Sequence, residues 1–392
     1  MRILKVHNYY LQPGGEDTVF QGETILLRTK GHEVLEYIEK NETIKSMNKA
    51  SVALQTIWSS SSYNKLRLFL EKEKPDIVHF HNTFPLISPS AYSSCFDLGI
   101  PVIQTLDNQR LICPASSFYR NGKLCLDCVG KTPPWPSVLH ACYHNSHLHT
   151  AVVTSMLTVH RWLQTWQKKV DMFLCSTQFY RDMFINAGLP PEKITVMPHF
   201  VQKKGSHNLH KSKEGNYALF IGRLDPEKGI RTLLEAWQML DIPLKIRGGG
   251  QLEEIAKQFI KSHRIKNIEF VERLDEHELS NLIENARFLI MPSEGYYETF
   301  GMVIIEAYSR GIPVIASNTG VAPELVKDKK TGLLFEVGNA QDLARKAKWM
   351  WDNSIEAQLM GTNGLNEYYK KFTEDICYET LTEVYQRLSN HK

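Results

Sequence analysis

Long apolar runs are missing from the sequence. No stretch of the 392 residues approaches the roughly 18 consecutive apolar residues of a membrane-spanning helix. The opening residues also lack the apolar segment of a secretory signal peptide. These absences predict a cytoplasmic protein, and they leave open a peripheral contact with the inner face of a membrane.

An excess of one charge sign is missing too. The chain has 46 lysine and arginine residues against 43 acidic ones, a formal net charge of +3. Nucleic-acid binders rely on concentrated basic charge, so this balance predicts no nucleic-acid partner. Seven cysteines, an odd number, make a disulfide framework unexpected in a cytoplasmic chain. Repeats and low-complexity segments are also lacking.

Short apolar runs alternate with helical patterns from end to end, which is typical of parallel sheets covered by helices. We predict an α/β fold of two Rossmann-like, doubly wound parallel-sheet domains that face a central cleft. The first would cover residues 1–201, with an insertion at 111–145, and the second residues 217–370. Residues 202–216 are polar with four lysines, and they indicate an inter-domain linker.

The second half contains a nearly all-apolar helix pattern that begins and ends near a glutamate. Glu298 precedes Thr299-Phe300-Gly301, and Glu306 lies within the run that starts at Met302. A carboxylate in a buried helix needs partners, and the vicinal hydroxyls of a ribose would serve. A lysine or arginine would serve as well, so both readings of Glu306 stay open.

A strand-to-helix turn in the same half carries two cations and two glycines. Gly222-Arg223 follows one predicted strand, and Lys228-Gly229 opens the next helix. An arginine fork and a lysine point charge suit a diphosphate, although Lys228 alone could belong to a solvated ion pair. Gly248 begins a third glycine-rich turn after a strand, where backbone can approach a ligand.

The first half has two similar turns. Gly14-Gly15-Glu16 follows the first predicted strand and begins a helix, which allows close approach of a phosphate or an acceptor. His81 is expected at the carboxyl end of another strand, whereas His79 lies inside that strand and is expected in the core.

Together these motifs resemble the retaining glycosyltransferases of family four, the group 1 glycosyltransferases, which have the GT-B fold. The resemblance covers essentially the whole chain, and the spacing from Glu298 to Glu306 is its most specific part. It implies transfer of a sugar from a UDP- or GDP-sugar to a glycan or lipid-linked acceptor, in bacterial surface polysaccharide synthesis. It also implies that residues 371–392 form a helix that packs back on the first domain.

The resemblance assigns roles to individual residues. Arg223 and Lys228 would hold the diphosphate, Glu298 would contact the donor sugar, and Glu306 the ribose, with no metal required for catalysis. The wider donor-binding set is Gly14, Gly15, Gly222, Gly248, Leu274, Phe300, Gly301, Met302 and Glu306. The acceptor-side set is Glu16, His81 and Asn108.

Asp107 departs from the family pattern, because relatives usually carry histidine there and that histidine contacts the donor sugar. Asp107 could bind a sugar hydroxyl, act as a base for the acceptor hydroxyl, or mark altered donor choice or impaired catalysis. We count it among the catalytic candidates with Arg223, Lys228 and Glu298. A GT-B-like epimerase and a non-catalytic or donor-hydrolysing sugar-nucleotide binder are the competing functions.

Two other features of the first half carry open alternatives. Cys113, Cys125, Cys128 and Cys142 have a spacing that could bind a structural zinc ion, or they could be reduced thiols in a loop. Residues 155–169 combine apolar and aromatic side chains with basic flanks. They could lie on an anionic membrane or pack on the sheet as an ordinary domain helix.

Overall fold

The computed structural model describes residues 1–11, 14–201, 215–296 and 298–389. The chain forms two compact units, which we call the first and the second unit. The first comprises Met1–Phe118, Cys125–His199 and Cys377–Lys392, and the second Tyr119–Leu124 and Phe200–Ile376. Most of the predicted linker, residues 202–214, lies outside the described residues.

The strands in chain order are β1 (Arg2–Tyr9), β2 (Glu33–Lys40), β3 (Ile77–Phe80), β4 (Val102–Thr105), β5 (Tyr119–Arg120), β6 (Lys123–Leu124), β7 (Met172–Cys175), β8 (Ile194–Val196), β9 (Ala218–Ile221), β10 (Leu244–Arg247), β11 (Ile268–Val271), β12 (Phe288–Met291), β13 (Val314–Ser317) and β14 (Gly332–Phe335).

The α-helices are α1 (Gly15–Thr29), α2 (Lys49–Ile57), α3 (Ser60–Glu73), α4 (Ser90–Asp97), α5 (Pro136–Leu139), α6 (His147–Trp162), α7 (Thr165–Lys169), α8 (Gln178–Asn186), α9 (Ile230–Trp237), α10 (Glu253–Ser262), α11 (Glu276–Glu284), α12 (Met302–Tyr308), α13 (Ala322–Leu325), α14 (Ala340–Asp352), α15 (Ser354–Lys371) and α16 (Glu374–Ser389).

The first unit is built on a parallel sheet of order β2-β1-β3-β4-β7-β8. Its central strands β3, β4 and β7 are buried at every position, as expected for strands covered by helices on both faces. Helix α16 also contributes to this unit. The ring nitrogen Nδ1 of His79 in β3 lies 2.7 Å from the hydroxyl of Tyr385 in α16.

The second unit is built on a parallel sheet of order β11-β10-β9-β12-β13-β14. Its core has two parts, because side chains alternate between the faces of each strand. Phe220 and Ile290 belong to the part that includes Trp237 of α9. Leu219 and Leu289 belong to the part that includes Tyr308 of α12.

The predicted fold class is confirmed, since each unit is a Rossmann-like parallel sheet with helices. One strand was missed and one helix prediction was wrong. Strand β2 was missed because its sequence, EVLEYIEK, is charged and only partly buried at the sheet edge. The single helix expected over residues 155–169 is two helices, α6 and α7, because Gln164 adopts a left-handed conformation with φ of 52° between them.

Candidate functional site

The two sheets each have a point where the strand order reverses. In the second sheet the chain runs outward through β9, β10 and β11, then returns to β12 on the other side of β9. In open parallel sheets, ligands bind at the carboxyl ends of the two strands that flank such a reversal. Lys228 follows β9 and Glu298 follows β12, so the two predicted site residues belong to the two flanking strands.

Lys228 and Glu298 are in direct contact. Lys228 Nζ lies 2.6 Å from Glu298 Oε2, and the backbone N–H of Gly301 donates to Glu298 Oε1 at 3.1 Å. Burial favours the neutral acid, but the Lys228 ammonium and the Gly301 N–H outweigh it and hold the pKa of Glu298 below its ordinary value. An ionised carboxylate and a cation therefore meet at the reversal point of the second sheet.

Arg223 lies beside this pair on the loop after β9. Its side chain is 49% exposed, with NH1 3.2 Å from Asp225 Oδ2 and NH2 3.6 Å from Glu227 Oε1. Its charge also favours the ionised form of Glu298. The structure thus brings Arg223, Lys228 and Glu298 together, as the motif spacing predicts.

Glu306 is half-buried on α12 rather than fully buried, which corrects the expectation from the apolar helix pattern. Burial raises the pKa of its carboxyl, while the charges of Arg310 and Arg247 act in the opposite direction. No ion pair reaches this carboxylate from the part of the chain that the structure describes. Arg247 was not predicted from the sequence, although it is the last residue of β10 and stands directly before Gly248.

Different structural constraints require glycine at different positions of this site. Gly248 has φ of 149°, and a Cβ there would lie 1.8 Å from the carbonyl oxygen of Gly222, so close packing of the two turns requires glycine at position 248. Gly301, with φ of 87°, precedes the first residue of α12 and turns its N–H towards Glu298.

Three side chains of the predicted donor-binding set lie in or against the core of the second unit. Phe300 is 2% exposed and its ring packs in the core, with its centroid 5.9 Å from that of Phe372, so its side chain is not available to a ligand. Met302 and Leu274 are half-buried and pack against the same core.

The first sheet reverses between β1 and β3. Gly14 is the N-cap of α1, which follows β1, and an added Cβ at Gly14 or Gly15 would meet nothing within 4 Å. The Gly14 N–H is already used, because it donates to Asp17 Oδ2 at 3.0 Å in a capping interaction. A phosphate contact of the Gly14 N–H would require it to leave Asp17, and the donor-binding role of Gly14 stays a prediction.

A buried chain of charged groups runs from β1 to Asp107. Lys5 Nζ lies 2.6 Å from Glu23 Oε2 and 2.6 Å from His81 Nε2. His81 Nδ1 lies 3.1 Å from Asp107 Oδ2, and His199 Nε2 lies 3.2 Å from Asp107 Oδ1. Because an ammonium can only donate, His81 accepts at Nε2 and carries its proton on Nδ1, which donates to Asp107.

Asp107 is therefore a fixed anion. Burial opposes its ionisation, but the hydrogen bonds from His199 and His81 outweigh burial and hold its pKa well below the ordinary value. His199, at the end of the first unit, was not predicted from the sequence, and no local pattern marks it. His81 was predicted on the acceptor side, yet both of its ring nitrogens serve this internal chain.

Glu23, His79 and His81 have candidate ligand atoms within 4.8 Å of one another, the spacing of a metal site. The Lys5 ammonium already occupies the position between Glu23 and His81. The ring nitrogens of His79 contact two hydroxyl groups, those of Tyr385 and Thr105. A divalent cation would have to displace a lysine, so this cluster is better explained as an internal ion network.

Glu16 and Asn108 lie close to Asp107. The amide Nδ2 of Asn108 donates to both carboxylate oxygens of Glu16, at 3.2 and 3.1 Å. Burial, followed by the nearby Asp107 charge, raises the pKa of Glu16 to about 8. One neutral and one ionised carboxyl group therefore stand side by side, which is the pattern of an acid and base pair.

A pocket of the first unit opens beside these residues. Asp107, Asn108 and His81 form its polar side, and Tyr92 and Trp166 part of its aromatic side. Arg110 also lines it, with its guanidinium carbon 4.0 Å from the Phe84 ring centroid. The pocket combines a cation, an anion and apolar rings.

The four predicted zinc ligands lie in the insertion. Burial raises the pKa of the Cys128 thiol to about 11, and Cys113, Cys142 and Cys125 add to the rise, so the four thiols are neighbours. Among the described residues, however, no three of these sulfur atoms lie within 4.8 Å of one another. Zn–S distances of about 2.3 Å would require the thiols to turn towards a common centre.

Sequence comparison with known families agrees with this geometry. The family model described as Glycosyl transferases group 1 matches residues 201–367, and the model described as Glycosyltransferase Family 4 matches residues 27–203. Together the two matches span residues 27–367. The chain belongs to the glycosyltransferases that these two models describe. The first match includes the Lys228, Glu298 and Glu306 site, and the second includes most of the first unit.

Curated relatives match part of the chain. An uncharacterized glycosyltransferase of Methanocaldococcus jannaschii is 32% identical over 182 residues, 46% of this chain and 51% of the relative. O-antigen chain mannosyltransferase C of Escherichia coli is 25% identical, covering 51% of this chain and 56% of the relative. D-rhamnosyltransferase WbpZ of Pseudomonas aeruginosa is 26% identical, covering 47% of each. The matches thus span about half the length of these relatives.

Solved structures share the GT-B fold over nearly the full length. Sucrose-phosphate synthase from Thermosynechococcus elongatus has a TM-score of 0.71 at 15% identity and covers 100% of both chains. HepE of Anabaena, solved in complex with UDP, has a TM-score of 0.70 at 16% identity and covers 99% of this chain and 100% of its own. Among the helices described in the present structure, none is both long and apolar enough to cross a membrane.

Proposed function

We propose that this family member transfers a glycosyl group from a nucleoside diphosphate sugar to a glycan or lipid-linked acceptor, with retention of configuration. The observation that carries the proposal is the contact between Lys228 and Glu298 at the reversal point of the second sheet. The O-antigen relatives support bacterial surface polysaccharide synthesis as the setting. Such donors are cytoplasmic, so we place the reaction there.

The donor half of the proposal rests on charge. Lys228 and Arg223 offer two cations for a diphosphate, and the half-buried Glu306 carboxylate offers an acceptor for ribose hydroxyls. The Anabaena neighbour was solved with UDP and with UDP-glucose, which supports a donor of this class. Donor binding would take Lys228 from Glu298 and leave that carboxylate to accept hydroxyl groups of the sugar.

The reaction needs no protein nucleophile. The bond between the anomeric carbon and the diphosphate oxygen breaks, and the acceptor oxygen bonds to the anomeric carbon on the same face. The acceptor hydroxyl gives its proton to the departing diphosphate, which balances the exchange. Lys228 and Arg223 stabilise the negative charge that develops on the diphosphate, the role a metal ion plays elsewhere, and electrostatic stabilisation of this kind is a large catalytic contribution.

Asp107 would serve this reaction as a fixed anion beside the first-unit pocket. Its bonds to His81 and His199 orient it, so it can accept a hydroxyl of a sugar. Its low pKa makes it a weak base, because a carboxylate that holds its charge so firmly has little tendency to take a proton. Glu16, which holds its proton near neutral pH, is the group better suited to proton exchange.

The proposal is tested by transfer and hydrolysis assays with UDP- and GDP-sugars. Lys228→Ala removes a cation that acts on the transition state, so kcat/KM should fall by about 100-fold or more. Arg231→Ala is the matched control. Arg231 lies three residues after Lys228 and carries the same charge, but its side chain is 86% exposed. Equal losses in both variants, or no activity in any preparation that still binds donor, would reject the transferase assignment.

A structural zinc ion in the insertion is a separate proposal. It rests on the four neighbouring thiols, and Zn²⁺ bound to them would clamp a loop that has little regular structure. Metal analysis of purified protein should give one zinc per chain, and the pair Cys125→Ser and Cys128→Ser should lose it. Protein that is active and stable with far less than one zinc per chain would reject the proposal.

A further inference from the structure

The first unit carries an unusual concentration of exposed tryptophan and leucine. Three exposed tryptophans belong to this group: Trp162 is 72% exposed, Trp135 is 52% exposed and Trp58 is 39% exposed. Leu54 on α2, Leu139 on α5 and Leu148 on α6 are each more than 60% exposed. Scattered exposed apolar residues are normal, but a contiguous apolar patch indicates a surface that something covers.

The outward face of α6 is one continuous stripe. Leu148, Val152, Ser155, Val159 and Trp162 are spaced by four, three, four and three residues, so they lie on a single helix face. All five are exposed or half-buried. The opposite face, which includes Val153 and Leu157, is buried in the unit. Part of the apolar pattern that suggests membrane contact in the sequence is therefore core, and the exposed stripe lies on the other side of the helix.

Direct contacts place the other exposed residues beside α6. His160 of α6 donates from Nε2 to the carbonyl oxygen of Ile57, 2.8 Å away, and its ring stacks on Trp58 with centroids 6.0 Å apart. Arg161 donates to the carbonyl oxygen of Lys131, whose ammonium lies 5.3 Å from the Trp135 ring centroid.

The start of the stripe is tied to α5 in the same way. His147 donates from Nδ1 to the carbonyl oxygen of Val138 at 2.7 Å, which places Leu148 near Leu139. The exposed residues of α2, α5 and α6 therefore form one surface, which we call the α2–α6 patch: Leu54, Trp58, Trp135, Leu139, Leu148, Val152, Val159 and Trp162.

The chain segments that form the patch carry charge of one sign. Residues 43–70, which include α2, and residues 128–170, which include α5 and α6, contain eight lysine and arginine residues and no aspartate or glutamate. At the average of 43 acidic residues in 392, these 71 positions would hold about eight. Lys45, Lys49, Lys131 and Lys168 are exposed. An apolar patch with tryptophans, on segments whose only formal charges are basic, complements an anionic lipid surface.

We propose that the α2–α6 patch docks the protein on an anionic membrane, with its tryptophans at the headgroup level and its lysines against acidic lipids. This adds a partner to the proposed transferase function and suits a lipid-linked acceptor. It does not depend on activity, because the first-unit patch and the second-unit donor site can be changed separately. A second copy of the chain is the competing occupant.

Vesicle flotation tests the docking directly. Wild-type protein should bind vesicles of phosphatidylcholine with 30% phosphatidylglycerol and bind pure phosphatidylcholine far less, and 0.5 M salt should weaken binding. Leu148→Ser with Trp162→Ser should lower binding at least tenfold. Ile355→Ser with Leu359→Ser is the matched control, because these side chains are 79% and 61% exposed on α15 of the second unit. Unchanged melting temperatures would show that both variants fold.

Three outcomes would overturn the proposal. Wild-type protein could fail to bind the anionic vesicles, or the two double variants could lose binding equally. Light scattering could also show a wild-type dimer that Leu148→Ser with Trp162→Ser converts to a monomer, which would assign the patch to a second copy. Donor hydrolysis measured without vesicles should be the same in all three proteins, so failed docking and failed transferase function are distinguishable.

Discussion

Asp107 shows most clearly what a single residue can change at this site. The family resemblance predicts histidine there, yet the aspartate of this protein completes an ordered set of partners formed by His81 and His199. Lys5 and Glu23 extend that set towards β1. Because these neighbours complement its charge, Asp107 is better explained as a residue adapted to this site than as a sign of lost function.

Changing Asp107 should therefore cost both stability and activity. Asp107→Asn removes the anion that two imidazoles share, and the loss of charged hydrogen bonds should lower the free energy of unfolding by about 1–3 kcal/mol. Asp107→His should lower transfer activity as well, since it adds a third imidazole beside two others. Urea denaturation and transfer assays check this, with the exposed Asp97→Asn as control. A large gain of activity in Asp107→His would mean that the natural residue is a handicap.

Glu16 should give the protein a measurable pH dependence. Its pKa is raised from 4.5 to about 8, so the folded protein binds this proton more tightly than the unfolded chain does. Glu16 consequently lowers stability as pH rises through that interval. Glu16→Gln removes the effect. Its melting temperature should therefore rise relative to that of the wild type as the pH increases from 5 to 8.

The control for this pH series is Glu42→Gln, since Glu42 is exposed in the same unit. The difference between Glu42→Gln and the wild type should stay constant over the series. A constant difference for Glu16→Gln as well would contradict the raised pKa. The same titration should appear in the activity profile if Glu16 exchanges protons during transfer.

At the scale of elements, the turns after β9 and β10 depend on each other. The N–H of Gly222 donates to the carbonyl oxygen of Arg247, and that of Leu224 to Gly249. These bonds fix the loop that carries Arg223 between two strand ends. Arg223 of the proposed donor site is therefore positioned by backbone pairing as much as by its own side-chain contacts.

A methyl group at Gly248 should disrupt this pairing. The residue combines φ of 149° with a Cβ position 1.8 Å from the Gly222 carbonyl oxygen, so Gly248→Ala should destabilise the protein by several kcal/mol, of which backbone strain alone is about 1–3. Gly249→Ala is the control, because its Cβ would meet only Glu253 Oε2, at 3.2 Å. Thermal denaturation separates them, and equal melting temperatures would contradict the close-packing account.

Sequence patterns predicted elements well where one physical signal dominated. Short, uniformly apolar runs such as Phe288–Met291 and Met172–Cys175 form strands that are buried at every position, the arrangement that their composition favours. Edge strand β2 and the break at Gln164 escaped prediction, since a charged half-exposed strand and a left-handed residue leave no periodic signal.

For the whole molecule, the motifs of the proposed donor site were predictable from the sequence. The residues that surround the predicted sites in the folded chain were not. Lys228 and Glu298 stand out because they follow strands that flank a reversal of strand order, which motif spacing encodes. Arg247 and His199 are brought to their sites by tertiary folding, so no sequence distance reveals them. The proposal about Asp107 accordingly draws on the structure, and the proposal about the donor draws on both.

The most direct test of the central claim is a thermal-shift screen with nucleoside diphosphates. At 100 times its Kd, a ligand of the folded state adds about 2.7 kcal/mol of stability, so UDP or GDP should raise the melting temperature clearly. Glu306→Gln should weaken that shift and leave the effect of inorganic diphosphate unchanged, because only the ribose contact is altered. Absence of a shift with every nucleotide, or an equal shift in Glu306→Gln, would contradict the donor site proposed here.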